Sequence, residues 1–193
     1  MLGELSPGPG STLVAHEPSR NDQPFKRLFF ALSVDEAPRR AIAQWRQDLC
    51  LRVGKPVAAD NFHVTLLFVG DVSADQMPSL IASVGALKHP RALRLQLDRL
   101  NVWLRPQILV LEPIQAPPAL LRLAYDLAQT LRPLGIVEQP HDYRPHLTLS
   151  RDFHQEVPET PLAPDFMLVA RHFTLFESRK GQYWPVAEWP LED

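Results

Sequence analysis

The segment HVTLLFV at residues 63–69 has the pattern of a β-strand that begins with a histidine, and its first four residues return with one change as HLTL at residues 146–149. Alternate side chains of a strand share a face. His63 and Thr65 are therefore expected to point together, as are His146 and Thr148. The pattern predicts two strands that each turn a His–Thr pair toward a cleft. The apolar residues between them are expected in the core: Val64, Leu66, Phe68, Leu147 and Leu149.

Length and composition indicate one globular domain. The chain has 193 residues, 45% of them hydrophobic, and its formal charge at pH 7 is −2. A nearly neutral protein does not fit broad, non-specific wrapping of duplex nucleic acid. The single cysteine, Cys50, cannot form an internal disulfide, and no segment approaches the ~20 apolar residues of a membrane span. We therefore expect a cytoplasmic protein with no membrane partner.

The chain is expected to consist of a flexible N-terminal extension, residues 1–25, and a single domain, residues 26–193. Helices and short strands interleave in that domain, with strands too close in sequence for helical crossovers, so the predicted fold class is α+β with antiparallel sheets. Besides the motif strands, strands are predicted at 27–33, 93–97, 108–111, 167–176 and 183–189. Helices are predicted after Ser33 or Asp35, after a Ser73–Gln76 capping box, and from Pro117 to about Leu131.

Two imidazoles and two hydroxyls facing one cleft suit phosphodiester chemistry. An imidazole titrates near pH ~6.5, so one ring can accept a proton while the other donates one. Hydroxyls can hydrogen-bond the non-bridging oxygens of a phosphate. A metal site is the weaker interpretation, because each motif offers one good ligand and contains no carboxylate. We expect neither a metal nor another cofactor, and a purely structural role for both histidines is the alternative.

The motifs and their surroundings resemble the two-histidine (2H) phosphoesterases, and among them the bacterial RNA 2′,3′-cyclic phosphodiesterases, also called 2′-5′ RNA ligases. The resemblance rests on the pair of H-x-T-x motifs and on four flanking segments: RLFFAL, PVAADNFHVTLLFVGDV, YRPHLTLSRD and FTLFES followed by Tyr183. It covers the chain from about residue 26. It implies a bilobal fold, in which two pseudo-symmetric lobes each have a small antiparallel sheet flanked by helices, with the active site in the central cleft.

The resemblance also implies a reaction and a role for each motif residue. The reaction is hydrolysis of the 2′,3′-cyclic phosphate at RNA 3′ ends to a 2′-phosphomonoester. The expected partners are such RNA ends, for example those of tRNA fragments, and the protein is expected to be a monomer. His63 would be the proton donor to the 3′ oxygen, and His146 the proton acceptor that activates water. Thr65 and Thr148 would hold the phosphate oxygens. The near symmetry of the motifs leaves acid and base undistinguished by sequence.

Four residues near the motifs are further substrate-binding candidates. Arg151, five residues after His146, matches an arginine position of the family and would add positive charge at the phosphate. Strict alternation puts Arg151 on the opposite face from His146. Either the strand ends or twists before Arg151, or its long side chain bends round to the other face; otherwise it forms a salt bridge. Arg144 is a similar candidate, and Tyr143 and Phe68 could stack on a base, although Phe68 fits the core better. The tryptophans are also expected in the core: Trp45, Trp103, Trp184 and Trp189.

Three other functions use the same residues. A ligase would run the reaction backwards, with an RNA 5′-hydroxyl in place of water. A related phosphodiesterase would act on 2′-5′ oligoadenylates or small cyclic nucleotides. A non-catalytic RNA-end-binding module would capture terminal phosphates without turnover. Product assays separate the enzymes, and tight, salt-sensitive binding without product would identify the binding module.

Overall fold

The computed structural model describes residues 25–88, 90–136 and 142–192. The predicted N-terminal extension lies outside these ranges up to residue 24, and the first strand begins at Phe25. The strands are β1 (Phe25–Ser33), β2 (Lys55–Pro56), β3 (His63–Ser73), β4 (Leu93–Leu97), β5 (Arg99–Leu104), β6 (Gln107–Glu112), β7 (Leu147–Arg151), β8 (Phe166–Ala170), β9 (His172–Arg179) and β10 (Gln182–Pro190). The α-helices are α1 (Glu36–Asp48), α2 (Met77–Gly85) and α3 (Pro118–Leu131).

The large sheet has the strand order β10-β9-β1-β3-β7-β6-β5, with β2 paired to β7, and all of its pairs are antiparallel. β4 and β8 form a separate antiparallel pair. Each motif strand completes the same unit, β1–α1–β3 in one half and β6–α3–β7 in the other, and the two strands of each unit are neighbours. The predicted α+β class with antiparallel sheets is confirmed.

The two halves of the large sheet meet at a narrow seam between β3 and β7. Within the described residues these strands share the single residue pair Val64–Leu147, whereas β1 and β3 pair along their lengths. Antiparallel partners run in opposite directions, so this pair sets His63 across from Thr148 and Thr65 across from His146. Residues placed in this way are direct neighbours on one face. The four motif side chains therefore form a square at the seam.

The residues between the motif side chains anchor the seam from the opposite face. Val64, Leu66 and Leu147 are at most 1% exposed, and they belong to one apolar core with residues of α2 and α3. Phe30 of β1 packs in the same core against Phe173 and Trp189, with ring centroids 6.4 and 5.9 Å away. Burial of this face holds both motif strands in place and leaves the His–Thr face open.

Most predicted elements are confirmed, and the exceptions have local causes. Ser73 ends β3 and does not cap a helix; its hydroxyl lies 3.2 Å from Oε1 of Gln76, and α2 begins at Met77. The predicted strand 167–176 is two strands in different sheets, separated at Arg171. β5 was not predicted; its residues are half-buried or exposed along the whole strand. No helix in the described ranges combines the length and apolar character needed to cross a bilayer.

Candidate active site

A cavity of about 600 Å³ lies over the seam, and all four motif side chains line it. Its lining contains three cationic side chains, Arg27, Lys55 and Arg151, and no carboxylate of the described residues. Lys55 also forms a 3.1 Å salt bridge with Asp152, which is not part of the lining. A basic pocket around two imidazoles suits a ligand that carries phosphate.

The backbone of Asn61 orients the ring of His63. Nδ1–H of His63 donates to the carbonyl oxygen of Asn61 over 2.8 Å, so in the neutral ring Nε2 carries no proton. The Thr65 hydroxyl donates to this nitrogen over 2.9 Å. Phe29 and Tyr183 pack against the ring, with centroids 5.2 and 5.1 Å away. His63 is therefore held in one tautomer, with Nε2 directed to Thr65 in the cavity.

His146 is oriented in the same way. Its Nδ1–H donates over 2.9 Å to the carbonyl oxygen of Arg144, which again lies two residues before the histidine. The ring lies 4.1 Å, centroid to centroid, from Trp103. Trp103 was expected in the core; it is half-buried and packs against the His146 ring instead. Both neutral rings therefore present an unprotonated Nε2, and the pseudo-symmetry extends from the strands to the tautomers.

Burial lowers the pKa of both histidines below the ordinary value of 6.5. For His63, the hydrogen bond to Asn61 opposes this effect, while the charges of His146 and Arg151 lower the pKa further. For His146, the backbone bond to Arg144 and the charge of Glu112 oppose burial, and the Arg144 and Arg151 charges act with it. The neutral ring is favoured at both positions, and Glu112 distinguishes the two environments.

Glu112, at the end of β6, is a buried carboxylate that holds four side chains around itself, and its own side chain is 3% exposed. Its two oxygens accept hydrogen bonds of 2.7–3.2 Å from Asn101, Trp103, Arg99 and Arg144. Burial alone would raise the pKa of Glu112, but these bonds and the two arginine charges hold it below 4.5. The Trp103 and Arg144 side chains beside His146 are therefore held in place by a buried negative charge.

The positions of Arg144 and Tyr143 do not support the expectation that they bind substrate. The Arg144 guanidinium lies 3.0 Å from Glu112 and 4.5 Å from the centre of the Trp103 ring, and it does not line the cavity. The Tyr143 hydroxyl donates to the backbone oxygen of Thr65 over 2.9 Å, and burial raises its pKa. The Tyr143 side chain thus binds the backbone of β3, and the Arg144 side chain binds Glu112 at the end of β6.

Arg151 does line the cavity, because a β-bulge in β7 restores it to the His146 face. Val110 pairs with Thr148 and Leu109 pairs with Ser150, which leaves Leu149 without an opposite residue. One extra residue reverses the alternation, so Arg151 lies on the same face as Thr148. Among the described residues Arg151 forms no salt bridge, so its charge is free for a ligand.

The same irregularity occurs in β3, with a consequence for Phe68. Ala31 pairs with Thr65 and Phe30 pairs with Leu67, so Leu66 is the extra residue. Phe68 therefore turns to the cavity, where it is 54% exposed, and the expectation that it enters the core is wrong. Phe68 and Arg151 each stand five residues after a motif histidine, so they occupy equivalent positions in the two halves.

Some residues in or beside the cavity were not among the predicted site residues. Glu112 and Arg27 were not selected, because neither lies near a motif histidine in the sequence. Asn61 could have been found from its position: it lies two residues before His63, just as Arg144 lies two residues before His146. Of the other tryptophans, Trp189 lies in the core, whereas Trp184 is 46% exposed. Within the described residues, no three histidine, cysteine or acidic side chains are grouped so that they could hold a metal ion.

Comparison with known proteins places the chain in a family. The LigT-like phosphoesterase profile matches residues 32–110. The RNA 2′,3′-cyclic phosphodiesterase of Escherichia coli K12 is 33% identical over 171 residues, which span 86% of this chain and 97% of that protein. Among solved structures, a phosphoesterase is 35% identical with a TM-score of 0.79, covering 87% of this chain and 99% of the other. Escherichia coli LigT complexed with 3′-AMP is 33% identical with a TM-score of 0.80, covering 88% and 99%. The chain therefore belongs to the LigT-like phosphoesterases, the 2H phosphoesterase family that its paired motifs indicated.

Proposed function

We propose that this protein hydrolyses the 2′,3′-cyclic phosphate at RNA 3′ ends to a 2′-phosphomonoester, by acid–base catalysis with two histidines and no metal. The observation that carries the proposal is the square of His63, Thr65, His146 and Thr148 at the seam of one sheet, inside a basic cavity. Two relatives, from Escherichia coli and Archaeoglobus fulgidus, are RNA 2′,3′-cyclic phosphodiesterases. The complex of Escherichia coli LigT with 3′-AMP is consistent with a nucleotide end as ligand.

The tautomers suit an in-line displacement at the phosphorus. Neutral His146 accepts a proton from water at Nε2 while the water oxygen bonds to phosphorus. The bond from phosphorus to O3′ breaks, and protonated His63 gives its Nε2 proton to that oxygen. The product has a 2′-phosphate and a free 3′-hydroxyl. His146 ends the turnover charged and His63 neutral, so one proton exchange with solvent restores both.

The remaining cavity groups stabilise the charge that develops on the phosphate. The hydroxyls of Thr65 and Thr148 donate to the non-bridging oxygens, and Arg151 supplies a cation on the same face. Binding of a phosphate also favours the protonated form of a nearby histidine, which opposes the effect of burial. In the ligase reaction an RNA 5′-hydroxyl takes the place of water as the nucleophile, with His146 and His63 in the same roles, and the product is a 2′-5′ phosphodiester with a free 3′-hydroxyl. We further infer that the protein acts as a cytoplasmic monomer.

The test uses single alanine substitutions at the two histidines. A general acid or base contributes about 10²–10⁴-fold, so His63→Ala and His146→Ala should each lower kcat by about 10²-fold or more. The substrate is a dinucleotide with a 2′,3′-cyclic phosphate, with the product identified as the 2′- or 3′-monoester by ³¹P NMR. Wild-type turnover should survive EDTA and yield the 2′-monoester.

A matched control is His172→Ala, since His172 is a half-buried histidine of β9 that does not line the cavity. This variant should keep wild-type turnover. Folded His63→Ala and His146→Ala proteins with near-normal turnover would refute the mechanism. Tight binding of the substrate by wild type without product would identify an RNA-end-binding module. Faster turnover of 2′-5′ oligoadenylates or small cyclic nucleotides would reassign the substrate.

A further inference from the structure

We infer that Arg99, Trp103 and Arg144 form a subsite for a second RNA strand, the strand whose 5′-hydroxyl replaces water when a 2′-5′ bond is made. This group is called the acceptor subsite below. The inference rests on the proposed function, because it takes the phosphorus to lie at the His–Thr square and His146 to be the base. Neither arginine lines the cavity, so this role differs from the phosphate contact that the sequence predicted for Arg144.

The direction of attack places the incoming strand beside His146. In an in-line displacement the attacking and leaving oxygens lie on opposite sides of the phosphorus. The acceptor O5′ bonds to phosphorus and gives its proton to His146, while the bond to O3′ breaks and His63 protonates that oxygen. The attacking oxygen must therefore come within about 2.6–3.2 Å of Nε2 of His146. The side of His146 that faces away from His63 is the side of β6 and β5, which continue the sheet from β7.

Trp103 and Arg144 stand beside His146, one behind the other. The Trp103 ring lies 4.1 Å from the His146 ring, centroid to centroid, and the Arg144 guanidinium lies 4.5 Å from the Trp103 centroid. The guanidinium is thus one aromatic ring beyond the proposed base. An RNA strand with a free 5′-hydroxyl carries its first phosphate on the 3′ oxygen of the same nucleotide. A hydroxyl held at His146 can therefore place that phosphate, one sugar away, at Arg144.

The two arginines offer more positive charge than their shared partner removes. Arg99 and Arg144 bind Glu112 over 3.1 and 3.0 Å, and their side chains are 49% and 55% exposed, whereas that of Glu112 is 3% exposed. Two cations on one carboxylate leave a net positive charge at the surface. A guanidinium has five N–H donors, and each of these two uses one on Glu112. The remaining donors suit the oxygens of a phosphate.

The side of the site around His63 has a different arrangement. The rings that flank His63 are Phe29 and Tyr183, and among the described residues no guanidinium stacks on either ring. O3′, which leaves beside His63, stays on the same ribose, so no second strand has to bind there. Water, the nucleophile of hydrolysis, needs no cation outside the cavity. The arginines beside His146 therefore fit an acceptor strand that carries phosphate.

The test compares two acceptors that differ by one charge. Adenylyl-(3′→5′)-adenosine has a 5′-hydroxyl and one phosphodiester, and its methylphosphonate analogue has nearly the same shape without the negative charge. Each is mixed with an oligonucleotide that ends in a 2′,3′-cyclic phosphate, and the initial rates of ligated and hydrolysed product are measured together. Wild type should ligate the charged acceptor about 10-fold or more faster than the neutral one, since hydrogen bonds to charged groups contribute to this extent.

Substitution of the arginines should remove this preference for the charged acceptor. Arg144→Gln and Arg99→Gln should each lower the ratio of the two ligation rates, and the double variant should bring it close to one. The Arg144 charge also lowers the pKa of His146, but both acceptors react through the same base, so that effect cancels from the ratio. A merely structural role of the arginines would slow the ligation of both acceptors alike.

Arg122→Gln is the matched control. Arg122 of α3 is likewise paired with a carboxylate, Asp126, and placed over an aromatic ring, Tyr125, but it does not line the cavity or contact His146. This variant should keep the wild-type ratio. The chain thus offers an arginine with similar partners that lies away from the proposed base.

Three results would overturn the inference and leave the proposed hydrolysis standing. The first is a preference for the charged acceptor that persists in the double variant. The second is hydrolysis without ligated product from either acceptor. The third is weaker binding of the cyclic-phosphate oligonucleotide by the double variant with an unchanged ratio, which would assign the arginines to that strand. A protein that forms neither product would refute the proposed function itself, and the acceptor subsite with it.

Discussion

At the scale of single residues, Glu112 makes the two histidines different. Its negative charge raises the pKa of His146 and is not among the causes of the His63 shift. Glu112→Gln removes that charge, so the pKa of His146 should fall. The positive charge of Arg144, which Glu112 no longer balances, should lower the pKa of His146 as well. Because His146 is the proposed base, the acidic limb of the kcat/KM profile should move to lower pH, and the alkaline limb should stay.

This pH profile also assigns the roles of the two histidines. Glu177→Gln is the control, since Glu177 is likewise buried and paired with Lys26 and Arg179, but acts on neither histidine. A shift of the alkaline limb in Glu112→Gln would exchange acid and base. If both limbs of the profile coincide with those of wild type, Glu112 holds Trp103 in place without changing the pKa of His146.

Arg151 should affect both histidines at once. Its charge lowers the pKa of His63 and of His146, so Arg151→Gln should raise both, and the whole kcat/KM profile should move to higher pH. The loss of a cation at the phosphate should also lower kcat/KM by about 10-fold or more at the optimum. Stopped assays across pH 4–9 would check both effects. A lower rate with an unmoved profile would place Arg151 away from the two rings.

At the scale of elements, two β-bulges decide which side chains enter the site. Both motif strands and α3 were predicted correctly from the sequence. The sequence also predicted that each His–Thr pair shares one face of its strand. It failed for Phe68, and it left Arg151 unresolved, because a bulge has no periodic signature. Whether Leu66 and Leu149 pair or protrude depends on neighbouring strands, and these pairings are contacts between residues far apart in the chain.

Arg46 of α1 fixes the bulge in β7 from behind. Its Nη1 donates to the carbonyl oxygens of Val57 and Leu149, over 2.5 and 2.9 Å, and Leu149 is the bulged residue. Arg46→Ala should therefore loosen Arg151 and lower kcat by several-fold, and cost about 2 kcal/mol in the free energy of unfolding. Because the catalytic effect passes through Arg151, Arg46→Ala should cause little further loss of kcat in an Arg151→Ala background.

The control for this cycle is Arg40→Ala, on the same helix. Arg40 is an exposed arginine whose partner is Glu36, one turn earlier. Its removal should leave kcat unchanged and shift stability by less than about 0.5 kcal/mol. Equal losses from Arg46→Ala with and without Arg151 would show that Arg46 acts by another route.

At the scale of the whole molecule, the site makes stability depend on pH. The pKa of His63 and of His146 is lowered in the folded protein, so the unfolded chain binds more protons between the folded value and about 6.5. The contribution of the two neutral histidines to stability is fully present above about pH 6.5, and it is lost as the pH falls through their pKa values in the folded protein. Urea titrations at pH 7, 6 and 5 should show the free energy of unfolding falling, and falling less in His63→Ala. Parallel curves for the two proteins would contradict this.

The bilobal plan followed from the repeated motif together with the family resemblance, and the structure adds how the halves join. The two β–α–β units share one large sheet, and the seam is the residue pair Val64–Leu147. A seam this narrow could not be predicted, since His63 and His146 are separated by more than eighty residues of other structure. The single pair Val64–Leu147 is enough to place the four motif side chains side by side over one cavity.

The central claim is that His63 and His146 act on the same phosphorus atom in one step. Single-turnover hydrolysis of a dinucleotide 2′,3′-cyclic phosphate by wild type, His63→Ala, His146→Ala and the double variant tests it most directly. Groups that act as a unit are strongly non-additive, so the double variant should be about as slow as the slower single variant, each ~10²-fold or more below wild type. A double variant whose loss equals the product of the two single losses would contradict the account, because the rings would then act independently.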